Sequence, residues 1–228
     1  MTLKVHTHRI SLNATLLLAI VAGLFFHITP AVALGSGGAN LPGFAEFSKT
    51  VQNSQAELLR GVYVPEVLAL PIVQQPAGDA GYVSPKEGEI TQFGTAAQFG
   101  NVGLLAHNHL SGRLFSQLAV GQEVRLVYGD GKVDYFVITQ ILQVQALQPT
   151  SPYSSFRDLS NDEVLTAEQM FAKVYRGDRH VTFQTCIANK ESLSWGRLFV
   201  VALPKSQITS IGRFALILDR EPANLIIR

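Results

Sequence analysis

The chain is poor in cysteine and in charge, and each shortage closes off a class of function. A single cysteine, Cys186, stands among 228 residues, so no internal disulfide and no cysteine-rich metal site is available. His107, His109 and Cys186 are too few to hold a metal, and nothing else clusters at ligand spacing, so neither metal nor cofactor is expected. Charged residues make up only 15% and the net charge is +1. That leaves no electrostatic footprint for a phosphate backbone, and no basic stripe is interleaved with aromatics, so nucleic acid is not an expected partner. Repeats of fixed period and low-complexity tracts are missing as well. What remains, with 47% hydrophobic residues, is enough for one folded domain and a targeting segment.

The targeting segment is read from the N-terminus. Lys4 and Arg9 precede an apolar run from Ala14 to Phe26, followed by Pro30 and an A-x-A pattern at Ala31, Val32 and Ala33. This is the layout of a secretory signal. Accepting Asn13, Thr15 and His27 near the interfaces stretches the run to about 20 residues, the usual length of a span. Residues 1–34 are therefore expected to be a signal or membrane anchor, 35–60 a linker with a short helix, and 61–228 the folded domain. Export sharpens the question about Cys186: an unpaired thiol outside the cytoplasm is either buried and inert or chemically employed.

Most of the folded part reads as strand. Tyr63 to Val73 is rich in branched residues and interrupted by Pro65 and Pro71, which suits edge or entry strands. Asn101 to His107 is a continuous apolar run of strand length, expected to be buried on both faces. Glu123 to Val144 alternates on both sides of Gly129-Asp130-Gly131 and predicts a hairpin. Thr166 and Gln169 form a capping box, Leu165 and Met170 a hydrophobic staple, and Gly177 a stop, so a short helix is expected before the cysteine. Strands then follow at Val181 to Cys186, Arg197 to Leu203 and Phe214 to Arg220. The domain is expected to be all-β, with enough strands to close a barrel or stack a sandwich.

A thiol is a nucleophile only as thiolate, and its ordinary pKa near 8.5 leaves a minority ionised unless a base or cation lies close. His107, ending the strand GLLAH, supplies a base. Arg197 lies across the loop from Ile187 to Gly196, and antiparallel pairing of the flanking runs brings it back beside Cys186. Its guanidinium offers several donors for an oxyanion or a peptide carbonyl. His109 competes with His107, being two residues on and on the same face of an extended chain. Thr185 is either core filler or a residue whose backbone shapes the oxyanion site.

Three pieces, LLAH (Leu104 to His107), TFQTC (Thr182 to Cys186) and RLFVVA (Arg197 to Ala202), occur in this order. Together they resemble the sortases, cysteine transpeptidases of bacterial surfaces, and ALPI (Ala69 to Ile72) looks like that family's first barrel strand. The resemblance implies a closed eight-stranded β-barrel with His107, Cys186 and Arg197 at one end, a helix before the cysteine strand, and an N-terminal anchor in place of a cleaved signal. It implies as partners exported proteins carrying a sorting motif, an amine acceptor (a cell-wall precursor or a protein lysine), and the membrane. Ala106 replaces the usual glycine before the histidine, Phe183 the usual leucine, and Ile187 a common acidic residue, so the resemblance is to a divergent subfamily. The rival readings are a non-enzymatic exported β-domain, and a cysteine peptidase or hydrolase on the same fold. Papain-like enzymes place the nucleophile before the histidine, and L,D-transpeptidases carry a different cysteine motif.

Overall fold

The computed structural model describes residues 41–209; the N-terminal segment and the strand expected at Phe214 to Arg220 lie outside the described residues. Among the described residues no helix is long and apolar enough to cross a membrane. The chain runs α1 (Phe44–Val51), β1 (Leu59–Val64), β2 (Leu68–Gln74), β3 (Ile90–Phe93), α2 (Gly94–Ala97), β4 (Val102–Leu105) and a 3-10 helix (Ser111–Gln117). It continues through β5 (Glu123–Tyr128), β6 (Val133–Ala146), β7 (Phe156–Asp158), β8 (Val164–Leu165), α3 (Ala167–Tyr175), β9 (Val181–Ile187) and β10 (Gly196–Pro204).

The strands form one sheet in the order β10-β9-β4-β3-β2-β1-β5-β6, and β6 pairs again with β10. Eight strands thus close into a barrel, and closure leaves no strand edge within the ring. β6 makes this possible by its length. One edge carries β5 along its first half and β7 along its last residues, while the other carries β10 from Phe136 to Gln145. Two pairings are parallel, β2 with β3 and β4 with β9, and the second sets the site.

Alternation decides what each strand buries. From β4 and the residue after it, Val102, Leu104 and Ala106 enter the barrel; from β9, Val181 and Phe183; from β10, Leu198, Val200 and Ala202. The intervening residues of β10, Phe199 and Val201, point outward into a second cluster with Met170, Val174 and Tyr175 of α3. α1 covers a different outer face, packing Phe47 and Val51 against Tyr63 and Val127.

α3 forms where expected. Thr166 accepts from the Gln169 amide and the Gln169 side chain from the Thr166 amide, which satisfies two of the donors a helix start leaves open and stabilises it by about 1 kcal/mol. Its last carbonyls are held by neighbours: Thr182 Oγ1 donates to the Val174 carbonyl at 2.6 Å and Asn101 Nδ2 to that of Tyr175 at 3.0 Å. The helix is thereby fastened to β9 just ahead of the cysteine.

The structure corrects two expectations. The stretch with Pro65 and Pro71 is a hairpin, with Glu66 at φ 65° in its turn, and β2 is interior to the ring. Pro71 is tolerated because it stands opposite Gly61 and one residue ahead of Ile72, where pairing with β3 begins. Ala69 to Ile72 therefore lies in the second strand of the barrel, not the first, because β1 already starts at Leu59.

Candidate active site

β4, β9 and β10 are neighbours in the ring, and each brings one candidate residue to the same end. Cys186 and Arg197 are register partners in the antiparallel pair β9–β10. Directly opposed residues point to one face with Cβ atoms roughly 5 Å apart. That face is the outer one, because Phe199 and Val201 share it with Arg197 while Leu198 and Val200 point inward.

His107 reaches the same level through the parallel ladder. The last registered pair is Leu105 with Gln184, and the Ala106 amide donates to the Gln184 carbonyl at 3.3 Å. His107 and Cys186 each stand two residues beyond that pair, on the outward phase of their strands. Just past β4 the chain turns sharply, and the His107 carbonyl accepts from the amides of Leu110 and Gly112, both at 3.0 Å. Gly112 is needed there: a Cβ would come within 3.0 Å of Thr185 Oγ1 and of the Ala106 and His107 carbonyls.

Cys186 is half-buried and free. Arg197, also half-buried, donates through Nη1 to the carbonyls of Ser194 at 2.9 Å and Gly196 at 2.8 Å. Both partners are neutral, so the guanidinium is oriented by the backbone just ahead of it and meets no carboxylate among the described residues. His109 is exposed and stacks on His107, with centroids 5.4 Å apart and planes at 26°. Thr185 is buried, its side chain inward and donating to the Ala106 carbonyl at 2.8 Å, so it ties the cysteine strand to the histidine strand from behind. Among the described residues no three His, Cys, Asp or Glu side chains gather as a metal site would need.

Two contacts at this end had no forewarning in the sequence. Gln184, between Thr182 and Cys186 on the outer face, accepts from the hydroxyl of Tyr175 at the end of α3. Asn108, between the two histidines, donates through Nδ2 to the Leu193 carbonyl at 2.8 Å, in the loop that joins Cys186 to Arg197.

No family model matches the chain. No curated protein matches it either. Among solved structures it is similar to sortase A of Listeria monocytogenes, at 13% identity and a TM-score of 0.42 over 65% of this chain and 87% of that one. It is also similar to a Clostridium perfringens sortase D5 transpeptidase, at 15% and 0.42 over 72% and 89%. Sortase C-1 of Actinomyces oris gives 11% and 0.42 over 80% and 93%. At this level of identity and superposition the likeness assigns neither family nor activity, and the closed barrel stands on its own strand pairings.

Proposed function

We propose that the chain is a sortase-like cysteine transpeptidase acting outside the cytoplasm, anchored by residues 1–34. The observation that carries the reading is the register pairing of Cys186, the chain's single thiol, with Arg197, whose guanidinium has no acidic partner among the described residues, beside the strand that leads into His107.

The Cys186 thiolate attacks a backbone carbonyl within a sorting motif of another exported protein. A carbon–sulfur bond forms and the carbonyl electrons move to oxygen, where Arg197 supplies donors to the oxyanion. The carbon–nitrogen bond then breaks, and His107, as imidazolium, gives its proton to the departing amine. The product is a thioester. An incoming amine, from a cell-wall precursor or a protein lysine, adds to it while His107, now neutral, takes the amine's proton, and the thiolate leaves. Thr185 contributes through its backbone, since its side chain is engaged with Ala106.

Incubation of the full chain with a degenerate peptide library, followed by mass spectrometry of the intact protein, tests this. An acyl adduct on Cys186 that hydroxylamine discharges, and that Cys186→Ala lacks, is the expected outcome. A thiol that alkylates readily but never acquires an acyl group rules the transpeptidase out. Discharge by water as fast as by amine makes the protein a hydrolase on the same fold.

A further inference from the structure

Of the two carbonyls that hold Arg197, that of Gly196 opens β10 and that of Ser194 belongs to a loop, residues 188–195, which is fastened from two sides. Its first half closes on itself: Asn189 Oδ1 accepts from the amides of Glu191 and Ser192, and the Asn189 amide donates to the Ser192 carbonyl. The second half reaches its neighbours. The Trp195 carbonyl accepts from the Ala146 amide of β6 at 2.9 Å, and the Leu193 carbonyl from Asn108 Nδ2 at 2.8 Å. Ser194, whose carbonyl accepts from Arg197 Nη1, lies between these two anchored residues.

The Trp195 anchor is a backbone bond continuing the ladder. The other is a side chain, and it comes from the residue after His107. A carbonyl accepts only from a donor, so the amide nitrogen of Asn108 must face the loop; the opposite orientation would set two acceptors against each other.

We propose that Asn108 is a positioning residue: by clasping Leu193 to the end of the histidine strand, it fixes the Ser194 carbonyl and so the direction of the Arg197 guanidinium relative to His107 and Cys186. The role rests on the transpeptidase reading; the clasp itself does not. Without it Ser194 keeps the Trp195 flank and its own amide's bond to Ser192 Oγ at 3.2 Å, and Arg197 keeps the Gly196 carbonyl, but the tie to the histidine strand is gone and the guanidinium samples directions away from the oxyanion. Displacements of about 1 Å at a reacting centre cost up to about a hundredfold in rate. One anchor among several is lost here, so a smaller loss of about tenfold is expected.

Two measurements on the full chain separate the clasp from the chemistry. Hydrogen exchange of the loop amides reads the clasp without substrate. Turnover of a degenerate fluorogenic pentapeptide library, with hydroxylamine as acceptor, reads the role. Asn108→Ala should raise exchange at residues 190–194 about tenfold and lower kcat about tenfold with KM within about twofold, and Asn108→Gln should recover most of both. In an Arg197→Ala background the Asn108→Ala change should lower turnover no further, since the two act as one unit. Unchanged exchange in Asn108→Ala overturns the clasp. Raised exchange with unchanged kcat, or a full additional loss in the Arg197→Ala background, overturns the positioning role. A parent chain that protects the loop yet turns over no peptide overturns the catalytic reading, and the positioning role with it, leaving the clasp as a structural contact.

Discussion

The two ends of the barrel each hold an arginine, and they treat it differently. At the end opposite Cys186, just ahead of β9, Arg179 donates through Nη2 to Asp134 Oδ2 at 2.7 Å and to the Tyr128 hydroxyl at 3.1 Å. Tyr128 in turn donates to the same carboxylate oxygen at 3.0 Å, and the Arg179 guanidinium lies 5.7 Å from the centroid of the Phe136 ring. Charge and hydrogen bonds are both answered within the group. Arg197, at the other end, is aimed by two backbone carbonyls and meets no carboxylate among the described residues. An arginine that is oriented but not neutralised is what the proposed oxyanion role requires. Size does not discriminate between the ends: a groove of about 830 Å³ lined by Tyr135, Phe136, Arg179 and Lys205 lies at the neutralised one.

Exchanging the arginines for other residues is the sharpest way to break this contrast. Arg197→Lys keeps a cation but loses the planar fork, and should lower kcat/KM about a hundredfold, or about 3 kcal/mol, as the loss of one oxyanion donor typically does. The midpoint of thermal unfolding should hardly move, because neither Nη1 partner is a buried charge. Arg179→Met should do the opposite, leaving turnover intact and lowering stability by about 1 kcal/mol, the scale of a partly exposed ion pair with an added hydrogen bond. Equal effects of the two changes on turnover would remove the distinction and with it the argument for Arg197 as a catalytic group.

What the sequence disclosed depended on how local each feature is. The capping box at Thr166 and the alternation around Gly131 involve residues a few positions apart, and both elements formed as read. The pairing of Cys186 with Arg197 was legible for the same reason, since one loop joins the two strands. The short strands β3, β7 and β8 have at most four residues each, too few for alternation to show. Closure itself is non-local: it depends on β6 meeting β10 some sixty residues later, and on parallel pairing between β4 and β9, which no turn announces. At the site, the candidate side chains were visible as residue types, whereas the carbonyls of Ser194, Gly196 and Leu193 that position Arg197 and the loop carry no sequence signal. Thr185 was singled out, but not its bond to Ala106, which requires β4 and β9 to be adjacent.

The smallest effect expected from the comparison is the part of the alkaline pH dependence that arises at the neutralised end. Burial pushes the Tyr128 hydroxyl above its ordinary value of 10.0; Asp134 adds to the rise and Arg179 opposes it. Above pH 10 the unfolded chain releases this proton while the folded chain retains it, so the folded state binds more protons and stability falls as pH rises. The contribution is complete below pH 10 and is lost as pH climbs through the folded value. Tyr128→Phe cannot titrate, so its unfolding midpoint between pH 9 and 11 should decline less steeply than that of the parent, while its turnover at neutral pH stays the same. Tyr175, pushed up by full burial against β9, keeps part of the alkaline slope in the variant. Parallel declines in parent and variant would mean that the Tyr128 proton is shared equally by folded and unfolded chains. The group around Arg179 would then contribute its hydrogen bonds to the fold without the linkage its geometry implies.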